Sequence, residues 1–414
     1  MIDNYKKRKH RRIWTFSELY YPEETSTGYF MTKISEKLSF NFNSFAICSQ
    51  PTYSFRGIKS PRNEIYNGVN ILRVFSTTFN KDKPLSKLIN ILSFSVSAFI
   101  TGIKHIKKGD SIFVVTNPPL LPFIVMIISR LSGAKYILRI DDVYPDILIV
   151  ANKLKKNGLI ANIFNKLNRL LYKNAFSIIV LGRDMKNLII SKEQTTKNKI
   201  KIITNWGETD NISPNISLGN KFRNKLGLQH KFVLLWAGNM GIPHGIEDIF
   251  NIVQLLNNNK EVHFLFIGSG VKKEWLMNNV NKIKLSNCTF LDPMPRSSQE
   301  KFLNSCDIVL SSLIPGMEGV SVPSRMYNIF SAGKPIFAIG DSNAEIAYVI
   351  DEYKLGWNIL PGDISNGINI IKNISLNKKQ LVNMGKRARK VAINKFSQRY
   401  VLKEYLTYFN NLGV

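Results

Sequence analysis

Residues 311–338 read SSLIPGMEGVSVPSRMYNIFSAGKPIFA. An apolar, β-rich run ends at Ser312, and a loop with Pro315, Gly316 and Gly319 follows. A helix-length segment then covers 323–332, and Gly333-Lys334-Pro335 opens another apolar run. Strand, loop, helix, strand is the repeating unit of a parallel sheet, because the helix carries the chain back so that both strands run the same way. The loop reads as mobile. The amides of Gly319, Val320, Ser321 and Val322 are expected to converge on a phosphate at the helix N-terminus, with Arg325 one turn inside to add charge-assisted bonds. The competing reading is a generic loop–helix–strand unit.

The same rhythm extends in both directions. Strands are predicted at 13–16, 45–49, 69–74, 111–116, 136–140, 177–181 and 201–204. A second series runs over 232–237, 263–267, 289–291, 308–311, 335–339 and 356–359. Each is followed by an amphipathic stretch, and 384–409 reads as one or two helices. Two α/β series flanking the polar segment 207–221 predict two doubly wound domains, which suits 414 residues. Ligands of open parallel sheets sit beyond the carboxyl ends of the strands, so the chemistry is sought in those loops.

After 13–16 comes SELYYPEETSTGYF, where Gly28 opens a helix. Thr25, Ser26 and Thr27 serve either as phosphate or acceptor contacts or as plain N-caps. After 136–140 comes RIDDVYPD. Asp142 is placed to orient or deprotonate an acceptor hydroxyl, with Asp141 and Asp146 beside it; a capping aspartate before a proline turn is the alternative. After 232–237 comes WAGNMGIPHGIEDI, whose Gly238 and Gly241 permit a tight turn close to an anion, with His244 as a positive or hydrogen-bonding group. GSGVKKEWL after 263–267 starts like a dinucleotide fingerprint but lacks its third glycine, so it reads as a loop touching base or ribose rather than as an NAD site.

Composition narrows the classes. An apolar fraction of 44% is that of a globular chain. Lys and Arg number 57 against 29 Asp and Glu, a formal charge of +28, which suits nucleic acid, anionic lipid or phosphate-bearing substrates. Cys48, Cys288 and Cys306 are too few and scattered for a disulfide framework or zinc site, and Cys48 and Cys306 read as buried thiols in a reducing compartment. The basic N-terminus precedes no apolar stretch, so no signal peptide is expected. Segments 88–103 and 118–131 fall short of the roughly 20 apolar residues of a span, and a soluble or peripheral protein is expected. No Walker, Gly-x-Ser-x-Gly or zinc-type pattern occurs.

The stretches YYPEETSTGYF, DDVYPD, NWGETD (205–210), AGNMGIPHGIED, FIGSG and VPSRMYNIFSAGKP, with AEIA after them, resemble the family 4 glycosyltransferases. The resemblance covers almost the whole chain from Ile13. It implies the α/β GT-B fold, two facing Rossmann-like domains with parallel sheets and an interdomain cleft. Residues 1–208 would bind acceptor, 209–392 would bind nucleotide-sugar, and 393–414 would form a helix crossing back to the first domain. NWGETD, GNMG and VPSRMYNI look like a bacterial branch building O-antigen, capsule or colanic-acid-type polysaccharide, which moves an N-acetylated or 6-deoxy sugar from a UDP-sugar to an undecaprenyl-diphosphate-linked acceptor.

Carried onto this chain, the resemblance puts Gly28, Asn239, His244, Gly268, Glu318, Gly319, Val320, Ser321, Val322, Arg325 and Asn328 at the donor. Tyr21, Thr27, Asp141 and Asp146 fall to the acceptor, and Asp142 to catalysis, without metal or cofactor. The family's two glutamates separated by seven residues are missing: Asn328 stands at the ribose-binding position, Val320 at the other, and Glu318 lies two positions early. The basic N-terminus and segment 88–108 become a surface for anionic lipid, which places the protein on the inner face of the cytoplasmic membrane; a buried crossover helix with a solvated basic end is the alternative. A nucleotide-sugar 2-epimerase shares the architecture. A nucleic-acid binder would explain the charge, but no nucleic-acid module is present.

Overall fold

The computed structural model describes residues 11–52, 57–79 and 84–413; the basic run at 6–10 lies outside the described residues. Two sheets organise the chain. The first contains β1 (Arg12–Phe16), β2 (Asn43–Cys48), β3 (Asn63–Tyr66), β4 (Val69–Arg73), β5 (Ser111–Val115), β6 (Lys135–Ile140), β7 (Ser177–Val180) and β8 (Ile200–Ile202). The second contains β9 (Phe232–Ala237), β10 (Val262–Ile267), β11 (Cys288–Leu291), β12 (Ile308–Ser312), β13 (Ile336–Ile339) and β14 (Gly356–Ile359). The strand orders are β3-β4-β2-β1-β5-β6-β7-β8 and β11-β10-β9-β12-β13-β14. All pairings are parallel except β3–β4.

Central strands such as β5 (SIFVV) and β10 (VHFLFI) are buried along their whole length, because helices cover both faces of a parallel sheet. β3 is absent from the sequence expectations. It is a half-exposed edge strand that turns through Asn67-Gly68 into β4, so it carries no continuous apolar run. The Asn-Gly pair between alternating residues is the hairpin signal that marks it. Cys48 and Cys306 are buried as expected, and burial pushes both thiols up to about 12.

The chain forms two compact units. One holds the residues up to Pro145, then Lys156–Thr204, and the chain from Val401; the other holds Asp146–Lys155 and Asn205–Tyr400. In the first, helix Gln398–Asn411 brings Phe409 edge-on to Phe113 of β5 at 5.3 Å and Tyr405 to β6. In the second, one core runs from Trp236 and Phe264 through Phe337 to Ile371.

The sequence pattern confines the first apolar segment to 88–103, but the helix runs Pro84–His105. Its Leu85–His105 stretch is long and apolar enough to cross a membrane, with mean hydropathy 1.4 over an 18-residue window. The interrupting polar residues do not shorten it, because they face inward and bond locally. Asn90 Oδ1 accepts from Thr77 Oγ1 (2.8 Å) and the Phe79 amide (3.0 Å), and Ser93 Oγ accepts from the Thr77 amide (3.0 Å).

Candidate active site at the carboxyl edge of the second sheet

The second sheet reverses its winding between β9 and β12: the chain adds β10 and β11 on one side, then returns to the other. Such a switch point leaves a crevice beyond the strand ends. Here β9 and β10 pair over six positions, but β9 and β12 over only two, Leu234–Leu235 against Ile308–Val309, so the strands diverge before Trp236 and Leu310. Gly245 fills the gap, accepting a hydrogen bond from Ser312 Oγ at 3.2 Å. The loops after β9, β10 and β12 meet at this edge.

Backbone approach is close there. Gly268 has φ +145°, and a Cβ on it would stand 2.0 Å from Gly238 O, so the β9 and β10 loops touch main chain to main chain. Gly238 has φ +131°, and a Cβ on it would lie 3.1 Å from the Arg325 guanidinium. Both are positions only glycine occupies without strain.

Arg325 is the first residue of helix Arg325–Ser331, not one turn inside it. Its side chain reaches back to β9. Nη1 donates to Ala237 O (3.2 Å), Nη2 to Asn239 O (3.4 Å), and Cζ lies 4.9 Å from the Trp236 ring centroid. Among the described residues no carboxylate lies within ion-pair distance of it. Burial lowers its pKa to about 10, so it stays charged at neutral pH.

His244 completes the arrangement. Its Nδ1 accepts the Gly241 amide at 3.0 Å, its Nε2 lies 3.4 Å from Arg325 Nη2, and its ring stands edge-on to Trp236. Burial, then the Arg325 charge, depresses its pKa to about 4. At neutral pH it is therefore an uncharged ring rather than a cation, with its proton on Nε2 because Nδ1 is an acceptor. Two N–H groups thus stand side by side with no acid between them, and a shared anionic acceptor satisfies both.

Other expected donor contacts are arranged differently. The Val320 amide donates to Met317 O (3.0 Å), and the Val320 and Val322 side chains are buried, so the 319–322 segment offers main chain only in part. The loop is tied down by Asp341, whose Oδ2 accepts the amides of Gly316 (2.9 Å) and Glu318 (3.2 Å); the Glu318 side chain is exposed. Asn328 has a protein partner at each end of its amide: Oδ1 takes the Glu208 amide (2.9 Å) and Nδ2 donates to Gln299 (2.6 Å). Glu208 in turn is ion-paired with Arg296. Asn328 therefore anchors the 205–210 loop. Trp236, Asp341, Gln299 and the Glu208–Arg296 pair are missing from the sequence expectations. The rule that loops follow strand ends would have led to Asp341, but nothing in the sequence pairs Trp236 with Arg325.

The first unit gathers its own residues at the carboxyl edge of its sheet. Asp141 accepts Arg139 Nε at 2.7 Å, and Arg139, fully buried, also donates to Tyr405 OH at 2.5 Å. Desolvation of Arg139 is outweighed by Asp141 and Tyr405, which raise its pKa. Asp141 is thus occupied with a buried cation instead of standing open to an acceptor. Thr116 Oγ1 accepts the amides of Asp141 (3.1 Å) and Asp142 (3.4 Å), and Asp142 is half-buried.

Tyr21 stacks on Tyr66 at 3.6 Å, and Thr27 is half-buried on helix Ser26–Leu38. Gly28 is its third residue, and a Cβ there would meet Glu23 O at 3.0 Å, so the folded-back 23–25 loop alone accounts for a glycine. Asp146 begins the short helix Asp146–Val150, which belongs to the second unit.

Residues 220–391 match the family described as Glycosyl transferases group 1. The chain is 29% identical over 366 residues to a probable glycosyltransferase, WbjE, of Pseudomonas aeruginosa, covering 85% of this chain and 86% of that protein. Anabaena Alr3699/HepE, solved with UDP and glucose, superposes with TM-score 0.73 at 13% identity, covering 97% of this chain and all of that one. WaaG, a glycosyltransferase involved in lipopolysaccharide biosynthesis, gives 0.67 at 11% identity over 95% and 98%. The chain has the GT-B fold, with two Rossmann-like α/β units, and its residues 220–391 are similar to the glycosyl transferases group 1 family.

Proposed function

We propose that the protein is a glycosyltransferase that moves an N-acetylated or 6-deoxy sugar from a UDP-sugar to a polyprenyl-diphosphate-linked acceptor in surface polysaccharide assembly. The reading puts it on the inner face of a bacterial cytoplasmic membrane, with the donor on the second unit and the acceptor on the first. One observation carries it: the Arg325 guanidinium and the His244 ring, both half-buried, side by side and without a carboxylate among the described residues, at the switch point of the second sheet. The binding of UDP and glucose by Alr3699/HepE and the lipopolysaccharide role of WaaG support this reading.

In the reaction the bond between the sugar's anomeric carbon and the diphosphate oxygen breaks, and its electron pair leaves with the nucleoside diphosphate. The acceptor oxygen bonds to that carbon on the same face, and the acceptor proton is lost to the leaving diphosphate. The charge that develops on the diphosphate is where catalysis acts, and donors fixed in advance at low dielectric stabilise it without reorganising. Arg325 supplies the positive charge. His244 supplies an uncharged N–H, which Gly241 holds in the correct tautomer. Asp142 orients the acceptor hydroxyl.

Thermal melting with UDP, GDP, ADP and dTDP at equal concentration tests the donor. A rise with UDP alone is expected, because a ligand bound only to the native state stabilises it by mass action. No rise with any of the four would contradict the reading.

A further inference from the structure

The loop after β12 leaves the anion site through five residues without a polar side chain. Leu313, Ile314, Pro315, Gly316 and Met317 separate Ser312 from Glu318. The Ile314 amide donates to Pro243 O at 3.0 Å, so the loop starts next to His244. Leu313 and Met317 are buried, Ile314 is half-buried, and Pro315 and Gly316 are exposed. At Gly316 the loop meets a second apolar segment. A Cβ on Gly316 would lie 3.7 Å from Val150 Cγ2, at the end of helix Asp146–Val150. Ile147, Leu148, Ile149 and Val150 follow one another there, all half-buried, and they belong to the same unit as the loop. Two residues of chain span at most about 7 Å, so Gly316 stands one sugar's reach from Ile314 and the anion site.

Hydrogen bonds decide what this wall can recognise. The Ile314 amide is taken by Pro243 O, and Pro315 has no N–H. The amides of Gly316 and Glu318 both go to Asp341 Oδ2, at 2.9 and 3.2 Å. Asp341 stands just beyond the end of β13, and Gly316 bends there at φ +84°. The loop is therefore held in one shape, with no donor left at any of these four positions. An acetyl oxygen, which only accepts, finds no partner among them, and a hydroxyl finds no polar side chain from Leu313 to Met317. A methyl group needs neither and gains apolar contact.

We infer, resting on the UDP-sugar reading, that this wall selects a 6-deoxy hexose as the donor sugar, its C6 methyl against Ile314, Pro315 and Val150. Asp341 acts as a positioning residue that holds the loop for that contact. Of the two donor classes proposed, the N-acetyl group is then not what the wall reads.

Titration calorimetry of the whole chain with UDP, UDP-glucose, UDP-galactose, their two 6-deoxy counterparts and UDP-N-acetylglucosamine tests it. Each 6-deoxy donor should bind about tenfold or more tighter than its hydroxymethyl counterpart. Val150→Thr keeps the shape and adds a hydroxyl, so it should narrow that ratio by about threefold or more, while UDP, which carries no sugar, binds both proteins alike. Asp341→Ala, which releases the two amides, should narrow the ratio too, and Asp341→Asn, which keeps an acceptor oxygen, should restore most of it. Equal affinity within both pairs, or an unchanged ratio in Val150→Thr, would overturn the inference and leave the donor site standing. Preference for UDP-N-acetylglucosamine without any 6-deoxy preference would overturn it as well. No binding of UDP or of any UDP-sugar would instead remove the donor-site reading, and the sugar assignment with it.

Discussion

Two arginines near the carboxyl edges of the two sheets make an instructive pair. Arg139, in β6, is buried with Asp141 on one side and Tyr405 on the other. Arg325 is half-buried against β9 with two carbonyls, a neutral histidine and the face of Trp236, and no acid among the described residues. The first is a closed ion pair whose geometry ties helix Gln398–Asn411 to its sheet. The second is a cation with no counter-charge among the described residues. The same residue type is structural in one unit and, on the proposed reading, functional in the other, and the difference lies in the partner.

The largest expected effect breaks the closed pair. Asp141→Ala strands the Arg139 charge in the core and should cost about 3–5 kcal/mol in a chemical-denaturation measurement. Arg139→Met with Asp141→Ala together should recover much of that loss, since the unpaired charge goes with its partner. The next effect concerns the open cation. Arg325→Met should lower sugar transfer by about 10²–10³-fold, as removal of a charge-stabilising donor does. Its melting temperature without ligand should be equal or higher, the opposite of the Asp141 result. A clear loss of stability in Arg325→Met would erase the contrast.

A smaller effect comes from His244. Replacement by Gln keeps an N–H donor but not its geometry and should reduce transfer about tenfold, as a lost charge-assisted bond does. The smallest is a pH effect. His244 and His263 are both held neutral in the fold, at about 4, by burial and then by a nearby cation, Arg325 and Lys231 respectively. On acidification below the ordinary value of 6.5 the unfolded chain takes up protons before the native one does. The stability both residues confer is complete above 6.5 and fades toward 4, and both residues lie in the second unit. Denaturation at pH 7 and pH 5 should show the second unit losing stability first, and less so in His263→Gln.

Much of the fold is legible in the sequence, because apolar runs alternating with helix-length stretches have few other solutions. Edge strand β3 escapes because a half-exposed strand needs no apolar run. The interior polarity of helix Pro84–His105 hides its length, since Asn90 and Ser93 serve the preceding loop. At the site, glycine marks the backbone contact of Gly238 with Gly268, because only one residue type fits there. The chemistry of the charged residues is not legible in this way. Asp141 and Asp142 look alike in RIDDVYPD, and only the fold shows Asp141 joined to Arg139, which is joined in turn to Tyr405. Likewise, Asn328 in a motif position says nothing of Gln299 and Glu208, which lie 29 and 120 residues away.

Thermal melting of the wild type and Arg325→Met, each with and without UDP, tests the central claim most directly. The wild type should melt higher with UDP, and Arg325→Met should show no shift while melting no lower than the wild type without ligand. An equal UDP shift in both proteins would mean that the anion does not bind where Arg325 lacks a counter-charge.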